Sequence, residues 1–415
     1  MTREGNETVK ILLLCYEYPP LGGGGGVGAQ QYAEAWARNG HMVTVLTGRA
    51  RGLEFRERIN NVDIIRVPTL GRGGRATASL LSMLSYLVFG SLYVLLHMRD
   101  FAAKKIVNTH FAVPTGPLGV LASKALRIPN VLTIIGGDIY DPSKKTSPHR
   151  NRIMRCINAV IINSSTTVVA ISSDTKRRAE MHYRIKKEIK IINYGFVPVD
   201  LPTTSGNHLA RENGYYYLIG VGRLVKRKGF EYLVRCLNLL PPTIRLIIVG
   251  DGPLETYLRD LADKNRVEDR VIFTGYLRRH EIYEYLQEAD CFVLPSLHEG
   301  LGIVVQEAMY AGLPVVCSDE GGQVDLIRNG RNGILVKPAD VRMLADAILT
   351  IYENEELADE MGNHNREDIK KYYMSANCEE YIDLFEDVLK ESKSDRVRVK
   401  EARTPPADEV CSGRG

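Results

Sequence analysis

Residues 215–237 read YYYLIGVGRLVKRKGFEYLVRCL: an apolar run, a basic loop that contains glycine, and a segment with helical periodicity. The first seven residues are mainly aromatic and β-branched, which is typical of a buried strand. After the loop, the apolar residues fall on one face of a helix. These are Phe230, Leu233, Val234 and Leu237. A strand, a loop and a helix in this order predict an α/β unit, with the loop at the carboxyl end of the strand.

Similar apolar runs occur along the whole chain, and segments with helical periodicity separate them. The runs are 9–15, 42–46, 63–67, 105–109, 130–135, 168–171, 189–192, 215–221, 245–249, 271–273, 291–294, 315–317 and 334–336. This alternation predicts parallel sheets covered by helices. We therefore predict an α/β fold with two doubly wound, Rossmann-like domains, whose strand carboxyl ends face a central cleft.

The domain boundaries follow from a polar interruption between the two sets of strands. Residues 197–214, VPVDLPTTSGNHLARENG, are rich in proline, glycine and polar side chains, so they are predicted to be a linker. The amino-terminal domain is then 1–196 and the carboxy-terminal domain 215–372. Residues 373–391 are predicted to be a helix that packs back on the amino-terminal domain, and the polar residues 392–415 are predicted to be disordered.

The charge of the chain is divided unevenly between its halves. The net charge is +4, but residues 1–200 carry 27 basic and 14 acidic side chains, whereas residues 201–415 carry 27 and 36. A basic half attracts anionic lipid, an anionic acceptor or nucleic acid, and a dipolar soluble protein is the alternative. We expect a contact with an anionic membrane and no nucleic-acid partner.

The seven cysteines indicate a reducing compartment. They form no C-x-x-C pair, and several lie within apolar runs, where a free thiol behaves as a small apolar side chain. No apolar segment precedes the first predicted strand, so no secretory signal is expected. The sequence therefore predicts a cytoplasmic protein without a cysteine-based metal site.

Residues 76–98, ATASLLSMLSYLVFGSLYVLLHM, contain no Asp, Glu, Lys or Arg and are long enough to cross a bilayer. Predicted strands of one sheet precede and follow this segment, which argues against a single crossing. Three alternatives stay open: a buried helix or helix pair, an apolar surface that lies against lipid, or a membrane span.

A glycine run, LGGGGGVGAQQYAEAWARNG at residues 21–40, follows the first predicted strand and begins a helix. Glycine lets backbone N–H groups approach a phosphate at a helix N-terminus, so Gly25 and Gly26 are candidate ligand contacts. Gly23, Gly25 and Gly28 also match the dinucleotide fingerprint G-x-G-x-x-G, but the next strand ends in TVLTGRA, without the acidic residue expected for a ribose. A turn without ligand and a dinucleotide-dependent oxidoreductase are the alternatives.

The carboxy-terminal domain begins with a comparable loop. Arg223 and Lys228 follow Gly222 at the carboxyl end of a strand and beside a helix N-terminus, where two cations suit a diphosphate. An exposed basic loop is the alternative. Gly250, in the VGDGP turn, ends the next strand at the same sheet edge, where nucleotide contacts are expected.

Two glutamates occur in HEGLGIVVQEA, residues 298–308, between a predicted strand and a predicted helix. Glu299 falls in the loop, and Glu307 falls about one turn into the helix. Backbone N–H groups of this loop suit a phosphate, and a nearby carboxylate suits sugar hydroxyls. The loop amides are those of Gly300, Leu301 and Gly302. For Glu307 alone, an acid on a helix surface is the alternative.

Three motifs in this order, GRLVKRKG, VGDGP and the E-x7-E of EGLGIVVQE, follow the amino-terminal glycine run. Together they resemble the retaining GT-B glycosyltransferases of the family 4 type, the glycosyl transferases group 1. The resemblance covers roughly residues 9–390. It implies that the amino-terminal domain binds an acceptor and that the carboxy-terminal domain binds a nucleotide-sugar donor.

The resemblance also implies a role for each candidate residue. Arg223 and Lys228 would hold the donor diphosphate, Glu307 the ribose of the nucleotide, and Glu299 the hydroxyls of the transferred sugar. Gly26 and its neighbours would close over the diphosphate and the acceptor.

One position departs from the family pattern. Many relatives have a histidine ahead of the glycine in the segment that here reads LTIIGGD, and this chain has Ile135 there. The polar role near the sugar then falls to Asp138 or to His110, for which a buried histidine bonded to backbone is the alternative. A catalytically inactive module that binds a sugar nucleotide or a lipid is the corresponding alternative for the whole protein.

The mechanism implied by the resemblance is transfer with retention at the anomeric carbon, with the leaving phosphate taking the proton of the acceptor hydroxyl. The protein then stabilises the departing diphosphate through Arg223, Lys228 and helix N-termini. No D-x-D triplet occurs, so no metal or other cofactor is expected. The expected acceptor is lipid-linked or a cell-envelope glycan, at the cytoplasmic face of a membrane.

Overall fold

The structure is a computed structural model that describes residues 8–72, 79–200, 209 and 214–401, with side chains up to residue 394. The amino-terminal domain contains one eight-stranded sheet. Its strands are β1 (Lys10–Cys15), β2 (Met42–Arg49), β3 (Arg56–Ile59), β4 (Val62–Pro68), β5 (Ile106–His110), β6 (Asn130–Ile134), β7 (Thr167–Ala170) and β8 (Ile189–Ile191). Their order across the sheet is β3-β4-β2-β1-β5-β6-β7-β8, and all neighbours are parallel except β3 and β4.

Helices cover both faces of this sheet because the side chains of β1 alternate between two cores. Ile11 and Leu13 belong to the core that contains Trp36, whereas Leu12 and Leu14 lie in the opposite core. The helices are α1 (Gly24–Arg38), α2 (Leu80–Leu96), α3 (Met98–Phe101), α4 (Gly116–Leu126), α5 (Arg152–Ser164) and α6 (Ser173–His182). Helix α1 packs in the first of these cores, and α2 and α4 pack in the second.

The carboxy-terminal domain has a six-stranded parallel sheet. Its strands are β9 (Tyr216–Val221), β10 (Ile244–Val249), β11 (Val271–Gly275), β12 (Cys291–Leu294), β13 (Val315–Ser318) and β14 (Gly333–Val336). Their order is β11-β10-β9-β12-β13-β14. The helices are α7 (Phe230–Cys236), α8 (Glu255–Lys264), α9 (Arg279–Glu288), α10 (Ile303–Ala311), α11 (Val341–Tyr352), α12 (Glu355–Asp368) and α13 (Met374–Glu401).

Both sheets have the doubly wound order, so the prediction of two Rossmann-like α/β domains is confirmed. In the amino-terminal sheet the order reverses between β1 and β5, and in the other sheet it reverses between β9 and β12. Ligands of such folds bind outside the strand carboxyl ends at these reversals. The sequence did not predict β3, whose RERI segment is an antiparallel edge strand with no buried residue.

Helix α13 returns the end of the chain to the amino-terminal domain. The rings of Tyr381 and Phe385 lie 5.7 and 5.3 Å from that of Trp36, and Tyr381 also packs edge-on against Tyr32 of α1. The disordered tail expected from residue 392 is wrong at its start, because α13 continues to Glu401. The remainder of that expectation, residues 402–415, lies outside the described residues, as do 201–208 and 210–213 of the predicted linker.

The apolar segment 76–98 is only partly buried where the structure describes it. Its described part forms α2, which buries Tyr86 and Val94 but exposes its leucines on the other side. Residues 76–78 lie outside the described part. Across the ranges that the structure describes, no helix combines the length and apolarity needed to cross a membrane.

Candidate active site

The two reversals of strand order face each other across an interdomain cavity of about 530 Å³. Loops that follow β1, β5 and β6 form one wall, and loops that follow β9 and β12 form the other. The lining residues include Glu17, Gly23, Gly24, Gly25, Met83, Phe111, Ile135, Asp138, Asp141 and Lys144 on the amino-terminal side, and Gly222, Arg223, Arg227, Lys228, Glu299, Gly300, Leu301 and Gly302 on the other. The cavity is therefore the candidate active site.

The loop after β9 brings basic side chains to the cavity. Gly222 has a φ of +156°, and Lys228 lies in a short 3-10 turn that ends at Gly229. Arg223 and Arg227 also line the cavity, although the sequence had not suggested Arg227. Lys228 is only 8 % exposed, so its charge lies largely out of water.

Lys228 has an anionic partner, Glu299, from the loop after β12. The distance from Lys228 Nζ to Glu299 Oε1 is 2.9 Å, and Ser296 donates a hydrogen bond of 2.9 Å to the same oxygen. Burial alone would raise the pKa of Glu299, but Lys228 and Arg227 hold it at about 2. Glu299 is therefore ionised at neutral pH, and the buried pair is charge-balanced.

Gly300 follows Glu299 at a place where the two domains are in close contact. Its carbonyl oxygen accepts a hydrogen bond of 2.6 Å from Ser172 Oγ. A Cβ atom at this position would overlap the carbonyl oxygen of Ile135, across the cleft. Because a backbone oxygen cannot move aside as a side chain can, glycine is required here for this interdomain contact.

Two helix N-termini point to the cavity from opposite sides. Helix α1 has Gly23 at its N-cap and α10 has Gly302, so neither first turn is capped by a side chain. The amide end of a helix carries a partial positive charge and suits an anion. Together with the basic loop, this arrangement suits a diphosphate.

The predicted glycine contacts divide into lining and supporting positions. Gly25 lines the cavity, where an added Cβ would lie 2.8 Å from the Phe111 ring. Gly26 lies behind Gly25, and a Cβ atom added to it would lie 2.7 Å from the carbonyl oxygen of Glu17. Gly250 packs against the backbone of Gly222 rather than lining the cavity. Gly26 and Gly250 therefore shape the loops that line the site.

Glu307 lies on α10, 8 % exposed and behind the cavity lining. Its partner is Arg279, with 3.5 Å between Nε and Oε1. Burial raises the pKa of Glu307, and Arg279 offsets part of this effect. A ribose hydroxyl at Glu307 would therefore share the carboxylate with Arg279.

His110 does not reach the cavity. It is fully buried, and its Nδ1 lies 3.3 Å from the Tyr194 hydroxyl, while its Nε2 has no hydrogen-bond partner. Burial lowers the pKa of His110 to about 3, so the ring is neutral. His110 is the last residue of β5, but its side chain points into the core and the next residue, Phe111, lines the cavity instead.

Asp138 lines the cavity and joins two of its loops. Its carboxylate accepts hydrogen bonds from the amides of Ala112, at 2.6 Å, and Ile135, at 3.0 Å. Burial raises the pKa of Asp138 to about 6, although these amides lower it. Ile135, at the position where many relatives have a histidine, is 8 % exposed and forms an apolar part of the wall.

The raised pKa of Asp138 predicts a pH-dependent stability. An acid with a raised folded pKa stabilises the fold below its unfolded pKa, near 3.8, and this stabilisation is lost as the pH rises through about 6. We expect the stability of the wild type relative to Asp138→Asn to fall by about 2 kcal/mol between pH 4 and 7. Urea unfolding at several pH values measures this difference, and parallel profiles of the two proteins would contradict it.

Further charged residues in the cavity were not foreseen from the sequence. Asp141 and Lys144 form an ion pair of 3.2 Å in the long loop after β6. Arg227 adds positive charge from the carboxy-terminal domain, whereas Asp141 offsets the charge of Lys144. The loop has no sequence motif that would have marked them.

Contacts between α6 and the carboxy-terminal domain hold the two walls together. His298 Nε2 lies 3.0 Å from Asp174 Oδ2, and the Ser173 amide donates a 2.7 Å hydrogen bond to Asp325. Arg178 also pairs with Glu320. These partners are separated by more than a hundred residues in the chain, so no local pattern could have predicted them.

Two family models match the two domains of the chain. The model of glycosyl transferase 4-like domains matches residues 23–195, and that of glycosyl transferases group 1 matches residues 204–368. Of the unmatched residues between them, 197–203 fall in the predicted linker.

Curated relatives are similar over most of the chain. An uncharacterized glycosyltransferase of Methanocaldococcus jannaschii is 27% identical over 401 residues, which cover 91% of this chain and 98% of the relative. The putative teichuronic acid biosynthesis glycosyltransferase TuaC of Bacillus subtilis is 30% identical over 263 residues, which cover 61% of this chain and 62% of TuaC.

Solved structures share the fold. Sucrose-phosphate synthase of Thermosynechococcus elongatus superposes with a TM-score of 0.78 at 22% identity, over 92% of this chain and 99% of the synthase. HepE of Anabaena, in a complex with UDP and glucose, superposes with a TM-score of 0.72 at 21% identity, over 90% and 98% of the two chains. The chain therefore belongs to the GT-B glycosyltransferases, with a glycosyl transferase 4-like domain followed by a domain of the glycosyl transferases group 1.

Proposed function

We propose that this protein transfers a sugar from a nucleotide-sugar donor to an acceptor hydroxyl, with retention at the anomeric carbon and without a metal ion. The observation that carries the proposal is the convergence of Arg223, Arg227 and Lys228 with the N-termini of α1 and α10 on one cavity. A departing nucleoside diphosphate is the charge that such a set of donors stabilises best.

In this proposal the donor diphosphate lies between the basic loop and the amides of Gly300, Leu301 and Gly302. Lys228 is held in place by Glu299, so no ordering of a long side chain is needed when the diphosphate arrives. Preorganised charges of this kind stabilise a leaving group without reorganisation during the reaction.

The acceptor hydroxyl attacks the anomeric carbon from the face that the diphosphate leaves. The bond between the anomeric carbon and the phosphate oxygen breaks, the new glycosidic bond forms, and the leaving phosphate takes the hydroxyl proton. Neither Glu299 nor Asp138 serves as a nucleophile here: Glu299 binds sugar hydroxyls, and Asp138 holds the wall of the cavity.

The proposed acceptor is amphipathic, either lipid-linked or part of a cell-envelope glycan, and the proposed place of reaction is the cytoplasmic face of a membrane. The amino-terminal wall of the cavity presents apolar side chains of Met83, Phe111, Val113 and Pro114 beside the cation Lys144. An acceptor with an apolar part suits this wall. The name of TuaC, which links that relative to teichuronic acid, supports an envelope glycan.

A thermal-shift screen across UDP, GDP and ADP sugars tests the donor proposal. A donor present at about a hundred times its dissociation constant adds about 2.7 kcal/mol of stability. The best ligand is then tested for turnover with and without a metal chelator. Turnover that requires a divalent ion would contradict the metal-independent mechanism.

The two glutamates are expected to affect different steps. Glu307→Gln should mainly weaken nucleotide binding, because a charged acceptor of ribose hydrogen bonds becomes a weaker, neutral one. Glu299→Gln should mainly lower kcat, because Glu299 binds the sugar and holds Lys228. Calorimetry with the nucleoside diphosphate and steady-state kinetics measure the two effects, and an equal loss of nucleotide affinity in both variants would contradict the assignment.

Two rival functions give different results in the same assays. An inactive binding module, which Ile135 had suggested, binds the nucleotide sugar but never releases the free nucleotide. A dinucleotide-dependent oxidoreductase instead changes the absorbance of a nicotinamide cofactor. Neither family match favours the oxidoreductase.

A further inference from the structure

Helix α2 exposes an apolar stripe along its whole length. Leu80, Leu84, Val88, Leu92 and Leu96 are spaced by four residues and are 50–73 % exposed. The opposite side of α2 is buried on the sheet, so the helix has no polar face toward solvent. A contiguous apolar surface of this kind marks a contact with another molecule or with lipid.

Helix α5 presents a second apolar stripe. Ile153, Ile157 and Val160 are 70, 39 and 64 % exposed, and they lie on one side of the helix at a spacing of three to four residues. Arg152 and Arg155 are exposed on the same helix. An amphipathic helix normally turns its apolar side inward, whereas α5 has apolar side chains on both sides.

Helix α4 connects the two stripes into one surface. An added Cβ at Gly90 of α2 would lie 2.8 Å from Leu118 of α4, and Gly116 of α4 is in direct contact with Ile161 of α5. Val120 and Leu121 of α4 are half-buried. The outward sides of these three helices are called the α2–α4–α5 surface below.

The charge around this surface is positive. Between residues 101 and 173 the chain has nine basic and two acidic side chains, and both acids, Asp138 and Asp141, are buried. Exposed cations on the helices themselves include Lys124, Arg152 and Arg155. In a twofold dimer this surface would face itself and bring like charges together, whereas an anionic bilayer complements both its apolar and its basic side chains.

Three arginines between β2 and α2 do not contribute to the positive charge of this surface. Arg66 is 1 % exposed and pairs with Glu57. Arg58 lies 3.8 Å from Asp63, and Arg56 donates a hydrogen bond to the Tyr93 hydroxyl. These three arginines are therefore engaged within the domain.

We propose that the α2–α4–α5 surface docks on a membrane that contains anionic lipid. The proposal rests on the proposed function, in which the amino-terminal wall of the cavity binds the acceptor. Met83 of α2 belongs to that wall, so docking of α2 places the acceptor side of the cavity next to the lipid. Both α2 and α5 begin at the carboxyl edge of the sheet, where the cleft opens. A lipid-linked acceptor would then reach the cavity without leaving the interface.

Cys156 provides a direct probe, because it is exposed on α5 while the other cysteines that the structure describes are buried. The full chain with Cys411→Ser is labelled with a maleimide in the presence of vesicles of phosphatidylcholine, alone or with phosphatidylglycerol. We expect vesicles with phosphatidylglycerol at low salt to slow labelling by at least about tenfold and to float the protein. High salt should weaken both effects, and neutral vesicles should have little effect. Labelling at the same rate under all conditions, with the protein left in the soluble fraction, would overturn the proposal.

Paired substitutions identify the surface. Leu84→Ser combined with Val88→Ser should lower vesicle binding by at least about tenfold. Leu239→Ser is the matched control, because Leu239 is 49 % exposed but lies in the carboxy-terminal domain. Equal binding of the paired variant and the control would also overturn the proposal.

If a second copy of the chain, rather than lipid, covers the α2–α4–α5 surface, the same experiments give a distinct result. In that case Cys156 becomes more protected from labelling as the protein concentration rises without vesicles, the protein sediments as a dimer, and it does not float with vesicles. This set of results would refute lipid docking. Flotation and labelling do not require turnover, so a protein that transfers no sugar but still binds vesicles refutes the proposed function alone.

Discussion

Arg223→Ala and Lys228→Ala are each expected to lower kcat/KM for sugar transfer by about 10²- to 10³-fold. Both cations line the interdomain cavity, and Lys228 is fixed by an ion pair of 2.9 Å with Glu299. Removing one preorganised group from a developing negative charge raises a barrier by about 3–4 kcal/mol. Steady-state kinetics with the donor identified by the thermal-shift screen measure this loss.

Lys226→Ala is the matched control for this loss. Lys226 belongs to the same basic turn but is exposed and does not line the cavity, so its removal should leave kcat/KM close to wild type. Near-normal turnover of both Arg223→Ala and Lys228→Ala would show that the diphosphate binds elsewhere.

Stability measurements separate catalysis from folding in the Lys228 variant. Lys228→Ala leaves the Glu299 carboxylate buried without its cation, and breaking a buried pair in this way costs about 3–5 kcal/mol. A Lys228→Ala, Glu299→Ala double variant removes both charges, so it should recover part of that stability but none of the activity.

Gly300→Ala is expected to lower kcat by about 10²-fold while largely preserving nucleotide affinity. The added methyl would overlap the Ile135 carbonyl oxygen, so the backbone of one cavity wall must move away from the other to relieve this overlap. Such a movement separates the acceptor wall from the donor wall, and a displacement of about 1 Å is enough to cost about two orders of magnitude in rate. The nucleotide is proposed to bind the carboxy-terminal domain, so calorimetry with the diphosphate should change little.

Ser172→Ala distinguishes this overlap from the loss of a hydrogen bond. It removes the 2.6 Å bond to the Gly300 carbonyl oxygen without adding an atom. We expect about a tenfold loss of kcat or less. A Gly300→Ala variant with the kinetics of Ser172→Ala would indicate that the close approach of Gly300 and Ile135 does not matter for the reaction.

The fold could be predicted from the sequence because each buried parallel strand is a short apolar run that stands out from its neighbours. All of the predicted runs lie within strands that the structure describes or differ from them by one or two residues. Strand β3 was missed because Arg56, Glu57 and Arg58 give it no apolar pattern. It is placed by pairing with β4, which is not visible in the local sequence.

The sequence could predict which residues of the candidate site lie in loops at the carboxyl ends of strands, but not how their side chains are arranged. Arg223, Lys228 and Glu299 follow strands directly, so their place at the cavity was accessible from the sequence. The pairing of Lys228 with Glu299 depends on how two loops of one domain meet. The closeness of Gly300 to Ile135 depends on how the two domains meet, and the buried orientation of His110 depends on how one side chain turns. The sequence left the environment of helix α2 open for a related reason: when all sides of a helix are apolar, the sequence does not reveal which side packs on the sheet.

The most direct measurement is proton NMR of the anomeric signal during turnover, with the nucleotide sugar selected by the thermal-shift screen and an amphipathic acceptor in anionic vesicles. The account predicts that nucleoside diphosphate is released as product forms, and that the new glycosidic linkage has the same anomeric configuration as the donor. An inverted product would contradict the retaining mechanism. Nucleotide that binds with no release of diphosphate under any of these conditions would contradict the central claim that the cavity is a sugar-transfer site.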